Sequence, residues 1–76
     1  MDIKEFIESF AEQFEETNAS EFKANTKFRN LDEWSSILAL TIIAMIDDEY
    51  GVTLSADEMR KANTIEELYN IVSSKL

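Results

Sequence analysis

The chain has 76 residues, with 16 acidic against 7 basic side chains, a formal charge of -9, and no cysteine, histidine or proline. These counts exclude a disulfide framework, a zinc centre of the usual ligand set, and a Cys–His or Ser–His catalytic pair. The charge argues against nucleic acid and anionic membranes as partners, since both are polyanions, and favours a cationic protein surface.

So short a chain predicts one domain over residues 1–76. Such a domain buries about 60% of its unfolded surface, enough for a core but not for a deep catalytic cleft. Met1-Asp2-Ile3-Lys4-Glu5 is not a basic segment followed by an apolar run, so no secretory signal is expected. The longest apolar stretch, Ile37 to Ile46, is about half the ~20 residues a bilayer requires. The expectation is a soluble, cytoplasmic protein without membrane insertion.

Along the chain, Ile3, Phe6, Ile7, Phe10, Ala11 and Phe14 recur at three- and four-residue spacing and predict an amphipathic helix from about Asp2 to Glu16. Three phenylalanines on one stripe point to a packed core. From Thr17 to Glu33 the periodicity breaks. Thr17-Asn18-Ala19-Ser20 favours side-chain-to-backbone hydrogen bonds, and Phe22, Phe28 and Leu31 read as anchors that pin a long connection to the core.

A second helix is predicted over about Ser36 to Tyr50, apolar nearly all round between Ile37 and Ile46, and therefore the most buried element. Gly51 can end it through positive φ, and Val52-Thr53-Leu54 is too isolated to pair as a strand. Ser55 with Glu58 forms a capping-box pattern opening a short helix that ends near Ala62, and Thr64 with Glu67 repeats it for the last helix. The fold class is all-α: a four-helix bundle with three longer helices, a short third helix and a long first loop.

Few residues carry chemistry. No glycine-rich phosphate loop or activated nucleophile is present, so no catalytic residue and no metal ligand set is assigned. Asp47, Asp48 and Glu49 occupy consecutive helical positions that fan out round the axis and cannot converge on one ion; they read as a solvated face, as does Asp32-Glu33. Trp34-Ser35-Ser36 stands at the head of the second helix. A serine there is ordinarily an N-cap. Two stand in tandem, however, and a cap needs one; Trp34 is a large aromatic where docking would give it a reason.

Ser35-Ser36-Ile37 heading the second helix, Asp47-Asp48-Glu49-Tyr50-Gly51 at its end, Asn63-Thr64-Ile65-Glu66 opening the last helix, and Phe28 in the loop together resemble the acyl carrier protein family, without gaps from about Ile3 to Ile71. The resemblance implies that Ser36 is the attachment site for 4′-phosphopantetheine, transferred from coenzyme A by a separate phosphopantetheinyl transferase. The thiol at the tip of that arm would hold acyl groups as thioesters for acyl-transferring or acyl-modifying enzymes bearing basic patches. On this reading the chain is a monomeric carrier and not an enzyme. Asp47, Asp48, Glu49, Asp57 and Glu58 serve partner docking, and Trp34 with Leu38 forms an apolar rim beside Ser36. A bundle of this kind could also part between its second and third helices to shelter an acyl chain.

Two departures stand out. Ser35 replaces the Asp that precedes the family's serine, and Leu38 and Thr41 replace acidic residues early in the second helix. They point to a specialised lipid or secondary-metabolite pathway rather than housekeeping fatty-acid synthesis. The alternative is a protein-interaction domain that keeps the fold, with Ser36 unmodified and acting only as a cap.

Overall fold

A computed structural model describes residues 2–76. Four α-helices follow one another: α1 (Ile3–Glu12), α2 (Ser36–Tyr50), α3 (Ala56–Lys61) and α4 (Ile65–Ser73), and the long α1–α2 connection contains 3₁₀ turns at Ala19–Glu21 and Phe28–Asn30. The described residues contain no strand. Val52 and Leu54 are buried in an extended connection, each pointing an aliphatic side chain inward without a ladder partner.

Local chemistry sets most of the boundaries. Asp2 caps α1 by accepting from the Lys4 amide. Gly51 closes α2 at φ +66°, where a residue with a Cβ would be strained, and its amide donates to the Asp47 carbonyl. Ser55–Glu58 and Thr64–Glu67 both form complete capping boxes, so α3 and α4 begin where the spacing predicts.

α1 is the exception. It stops at Glu12, four residues short of the expected end. The amides that would have continued it, those of Glu15, Glu16 and Thr17, donate instead to the Glu33 carboxylate at 2.8, 3.0 and 2.9 Å. The Phe14 amide turns back to the Ala11 carbonyl, tightening the last turn.

The core is aromatic along one side. Phe22, Phe14, Phe10, Phe28 and Trp34 form a chain of ring contacts with centroid separations of 4.8, 5.5, 5.5 and 4.9 Å. Such pairs contribute about 0.5–1.5 kcal/mol each beyond their burial. Phe22 and Phe28 thus anchor the loop, and Leu31 packs against the same core. The loop is also tied by its backbone: the Ile65 and Glu66 amides, in the unsatisfied first turn of α4, donate to the Thr26 and Ala24 carbonyls. α1 lies against α4, with Phe6 meeting Tyr69 edge-on at 5.7 Å.

α2 is not buried all round. Ile42, Met45 and Ile46 face the core, but Ile37 and Leu40 remain 74% and 65% exposed, and Ala44 is exposed as well. The covered flank of this helix carries Ile42, Met45 and Ile46, with Leu38, Ala39 and Ile43 partly buried beside them.

Candidate functional site

The head of α2 is held in place from two directions. On the polar side, Glu33 accepts three amide hydrogen bonds from the end of α1 and a fourth, at 2.8 Å, from the Thr17 hydroxyl. On the apolar side, the adjacent Trp34 ring is half-buried, stacked over Phe14 at 6.2 Å and packed on Phe28 at 4.9 Å. Residues 33 and 34 are therefore fixed, and the chain enters the helix immediately after them.

Ser35 is extended (φ -153°, ψ 168°) and is the N-cap: its Oγ accepts from the Leu38 amide at 3.2 Å. Ser36 is the first helical residue, exposed to solvent, and its hydroxyl takes part in no hydrogen bond among the described residues. Helix geometry leaves the amides of this first turn without intrahelical acceptors and with partial positive charge, a setting suited to an anionic substituent. The residues present therefore fit a phosphodiester-linked group on the Ser36 oxygen.

Beside Ser36 lies a groove of about 390 Å³ between α2 and α3. Trp34, Ala39, Leu40, Ile43 and Met59 form much of its lining, and Arg29 and Arg60 are its charged members. Arg29 also braces the α3 wall. Its guanidinium donates to the carbonyl oxygens of Met59, Arg60 and Ala62 and to Asn63 Oδ1, and it lies 5.2 Å from the centre of the Phe28 ring. These carbonyls are the ones a short helix leaves open at its C-terminus.

The acidic residues assigned to docking fall into two groups. Asp47 and Asp48 are exposed, and among the described residues their carboxylates have no hydrogen-bond or ion-pair partner. The others have partners inside the chain: Glu49 accepts from the Ser9 hydroxyl at 3.1 Å, Asp57 pairs with Arg60, and Glu58 closes the α3 capping box and pairs with Lys75 at 2.8 Å. Leu38 is half-buried against the core and does not line the groove. Asp32 is exposed as expected, whereas Glu33 is not simply solvated but is the clamp on α1. No local signal marks Glu33 or Arg29, since their partners lie 16–18 and 30–34 residues away.

Two of these carboxylates make the region sensitive to acid. Burial pushes the Glu33 pKa up, but the hydrogen bonds from the Thr17 hydroxyl and the three amides outweigh it and hold the group below its ordinary value. Glu58, hydrogen-bonded to Lys75 and to the Ser55 amide, is lowered to about 2. Both groups are depressed by folding, so their stabilisation is present above the unfolded carboxylate value, about 4.3, and is lost as pH falls through the folded one. The urea midpoint is expected to be level down to about pH 5 and to fall from there towards about pH 2. Glu33→Gln with Glu58→Gln should lower the neutral-pH midpoint and flatten that acid slope; an unaltered slope would show that other carboxylates govern it.

Among the described residues, no three His, Cys, Asp or Glu side chains are grouped to hold a metal ion, and no helix is long and apolar enough to cross a membrane. The chain matches the family described as phosphopantetheine attachment site over residues 4–72. Comparison with curated proteins and with solved structures returns no match.

Proposed function

The chain belongs to the phosphopantetheine attachment site family, whose members carry 4′-phosphopantetheine covalently, and from that premise we propose that it is an acyl carrier protein with Ser36 as its attachment residue. One observation carries the choice of residue: Ser35 performs the capping, which leaves the neighbouring Ser36 hydroxyl exposed and, among the described residues, without a hydrogen-bond partner. When bound, the group supplies the thiol that a chain without cysteine lacks, and with it a thioester linkage for acyl groups. The chain's own contribution is positional. Glu33 and Trp34 fix the approach to the helix, the first-turn amides favour the phosphate charge, and the α2–α3 groove offers apolar cover for an acyl chain.

The partners on this reading are a phosphopantetheinyl transferase and acyl-transferring or acyl-modifying enzymes of a specialised lipid or secondary-metabolite pathway. Asp47 and Asp48 meet their basic patches, with Glu49, Asp57 and Glu58 contributing charge around them. Trp34 supplies apolar surroundings beside Ser36, whereas Leu38 packs on the core beneath the same turn. The chain itself acts as a carrier without catalytic residues.

Intact mass after incubation with coenzyme A and a broad-specificity transferase tests the assignment. The chain and its Ser35→Ala variant should each gain one phosphopantetheinyl group, and Ser36→Ala should gain none. Ser35→Ala should also lose about 1 kcal/mol of stability as its cap is removed. Modification that survives in Ser36→Ala and disappears in Ser35→Ala would move the site by one residue. No gain in any form would favour the unmodified interaction domain.

A further inference from the structure

Ser35 and Ser36 are both exposed, so accessibility does not distinguish them; the difference is the bond that Ser35 Oγ accepts from the Leu38 amide. Local sequence does not force that choice. α3 and α4 open with complete capping boxes, in which a glutamate at the third helical position reaches back to the cap, but α2 has Leu38 there. In a helix beginning one residue later, Ser36 Oγ would accept from the Ala39 amide, which now donates to the Ser35 carbonyl at 3.0 Å. Ser35 would then lie outside the helix with its hydroxyl free. That start costs the Leu38 amide its partner and leaves the later helical bonds unchanged. Two starts separated by about one neutral hydrogen bond differ in population by a factor of only about 2–12.

The stronger constraint lies two residues before the cap. Glu33 Oε2 accepts from the Glu15 amide, while Oε1 accepts from the amides of Glu16 and Thr17 and from the Thr17 hydroxyl. Bonds to an ionised acceptor are roughly twice as strong as neutral ones. The Trp34 amide is held as well, by the Leu31 carbonyl at 3.0 Å. Turning Ser36 from helical to extended backbone swings the preceding residues, because planar peptides leave only φ and ψ to absorb the change. Such a swing pulls the Glu33 carboxylate off the end of α1.

We propose that Glu33 is a positioning residue that selects between the tandem serines: held by the end of α1, it fixes Ser35 as the cap and leaves Ser36 as the hydroxyl open to phosphopantetheinyl transfer. Its bonds go to residues 15–17 and none to either serine, so it acts through the backbone. In the transfer the serine oxygen forms a bond to the pantetheine-side phosphorus of coenzyme A and the phosphoanhydride bond breaks. Adenosine 3′,5′-bisphosphate departs, and the hydroxyl proton passes to a basic group of the transferase. The transfer rests on the carrier reading; the choice of cap does not.

The test has two readouts on the full chain. Backbone carbon chemical shifts at residues 35 and 36 report the cap without any enzyme. Fragmentation mass spectrometry, after incubation with coenzyme A and a broad-specificity transferase, reports which serine is modified. The parent should show an extended Ser35, a helical Ser36 and all added mass on Ser36. In Glu33→Ala the Ser36 shifts should move towards extended values, and Ser35 should take about a tenth or more of the added groups. Glu33→Gln keeps an oxygen for three of the four donors and should fall between; it decides by the same readouts if Glu33→Ala loses its helical circular dichroism. Ser55→Ala, which removes the α3 cap and lowers stability far from Glu33, should match the parent in both. Shifts that stay at parent values in the folded Glu33 variants overturn the proposal, as does an equal movement in Ser55→Ala. Shifts that move while all mass stays on Ser36 overturn it too, because the cap would then not direct the transfer. Shifts that move with no mass gain even in the parent uphold Glu33's selection of the cap and overturn the carrier reading instead.

Discussion

Phe28→Ala is expected to remove about 3–5 kcal/mol of stability, a large share of the about 5–15 kcal/mol that a small domain possesses. Phe28 is fully buried, and it joins three parts of the molecule. Its ring meets Phe10 of α1 at 5.5 Å, Trp34 at the approach to α2 at 4.9 Å, and the Arg29 guanidinium at 5.2 Å. The cavity left by the ring would border all three, and relaxation of the loop could fill only part of it. A urea titration followed by the fluorescence of Trp34, the chain's single tryptophan, would show the change. The midpoint should fall steeply, and the native emission should itself change because the indole loses a packing partner. A midpoint within experimental scatter of the parent would mean that the loop collapses onto α1 without cost, and Phe28 would not be the anchor described.

Arg29→Lys is expected to cost about 2–3 kcal/mol despite keeping the charge. The planar guanidinium reaches three carbonyl oxygens at the end of α3 together with Asn63 Oδ1. An ammonium group on a flexible stem cannot span that set. α3 is six residues long and has little packing of its own beyond Met59, so the loss falls on it. Amide exchange should accelerate in Ala56–Lys61 well before it does in α2 or α4. Because Met59 and Arg60 line the groove next to Ser36, the same substitution should loosen that wall without touching the serine. Uniform acceleration over all four helices would indicate a global loss of stability and remove Arg29's specific role at α3.

The two predictions concern contacts of different kinds, and they were unequally visible beforehand. Phe28 could be picked out as an anchor because an aromatic residue isolated in a polar loop has few other uses. Arg29 could not, for an arginine beside it looks like any surface cation until the carbonyls it meets, 30 residues and more away, are known. Glu33 is the same case with the sign reversed: an acidic residue in an acidic chain, engaged by the end of α1.

At the site itself, the tandem serines posed a question that short-range rules leave open, since either hydroxyl could cap the helix. The answer depends on the residue at which the chain turns into α2, and Glu33 and Trp34 determine that by their distant contacts. With both held, residue 35 takes the extended conformation of a cap and residue 36 the first helical one. Ser36 is thus singled out by the sequence pattern, while its freedom from capping follows from tertiary anchoring.

Composition and local pattern were enough to establish an all-helical chain, the start of each of its helices, the glycine stop after α2 and the serine pair at its head. All of these arise from interactions within about four residues, which the order of side chains specifies directly. Three features were settled only when the helices came together: the early end of α1, the wall of the groove, and above all which flank of α2 faces water. A helix that is apolar on nearly every side has no preferred inward face of its own, so the length and position of its neighbours decide which residues are covered. Here Ile42, Met45 and Ile46 are covered, and Ile37 and Leu40 are left outside.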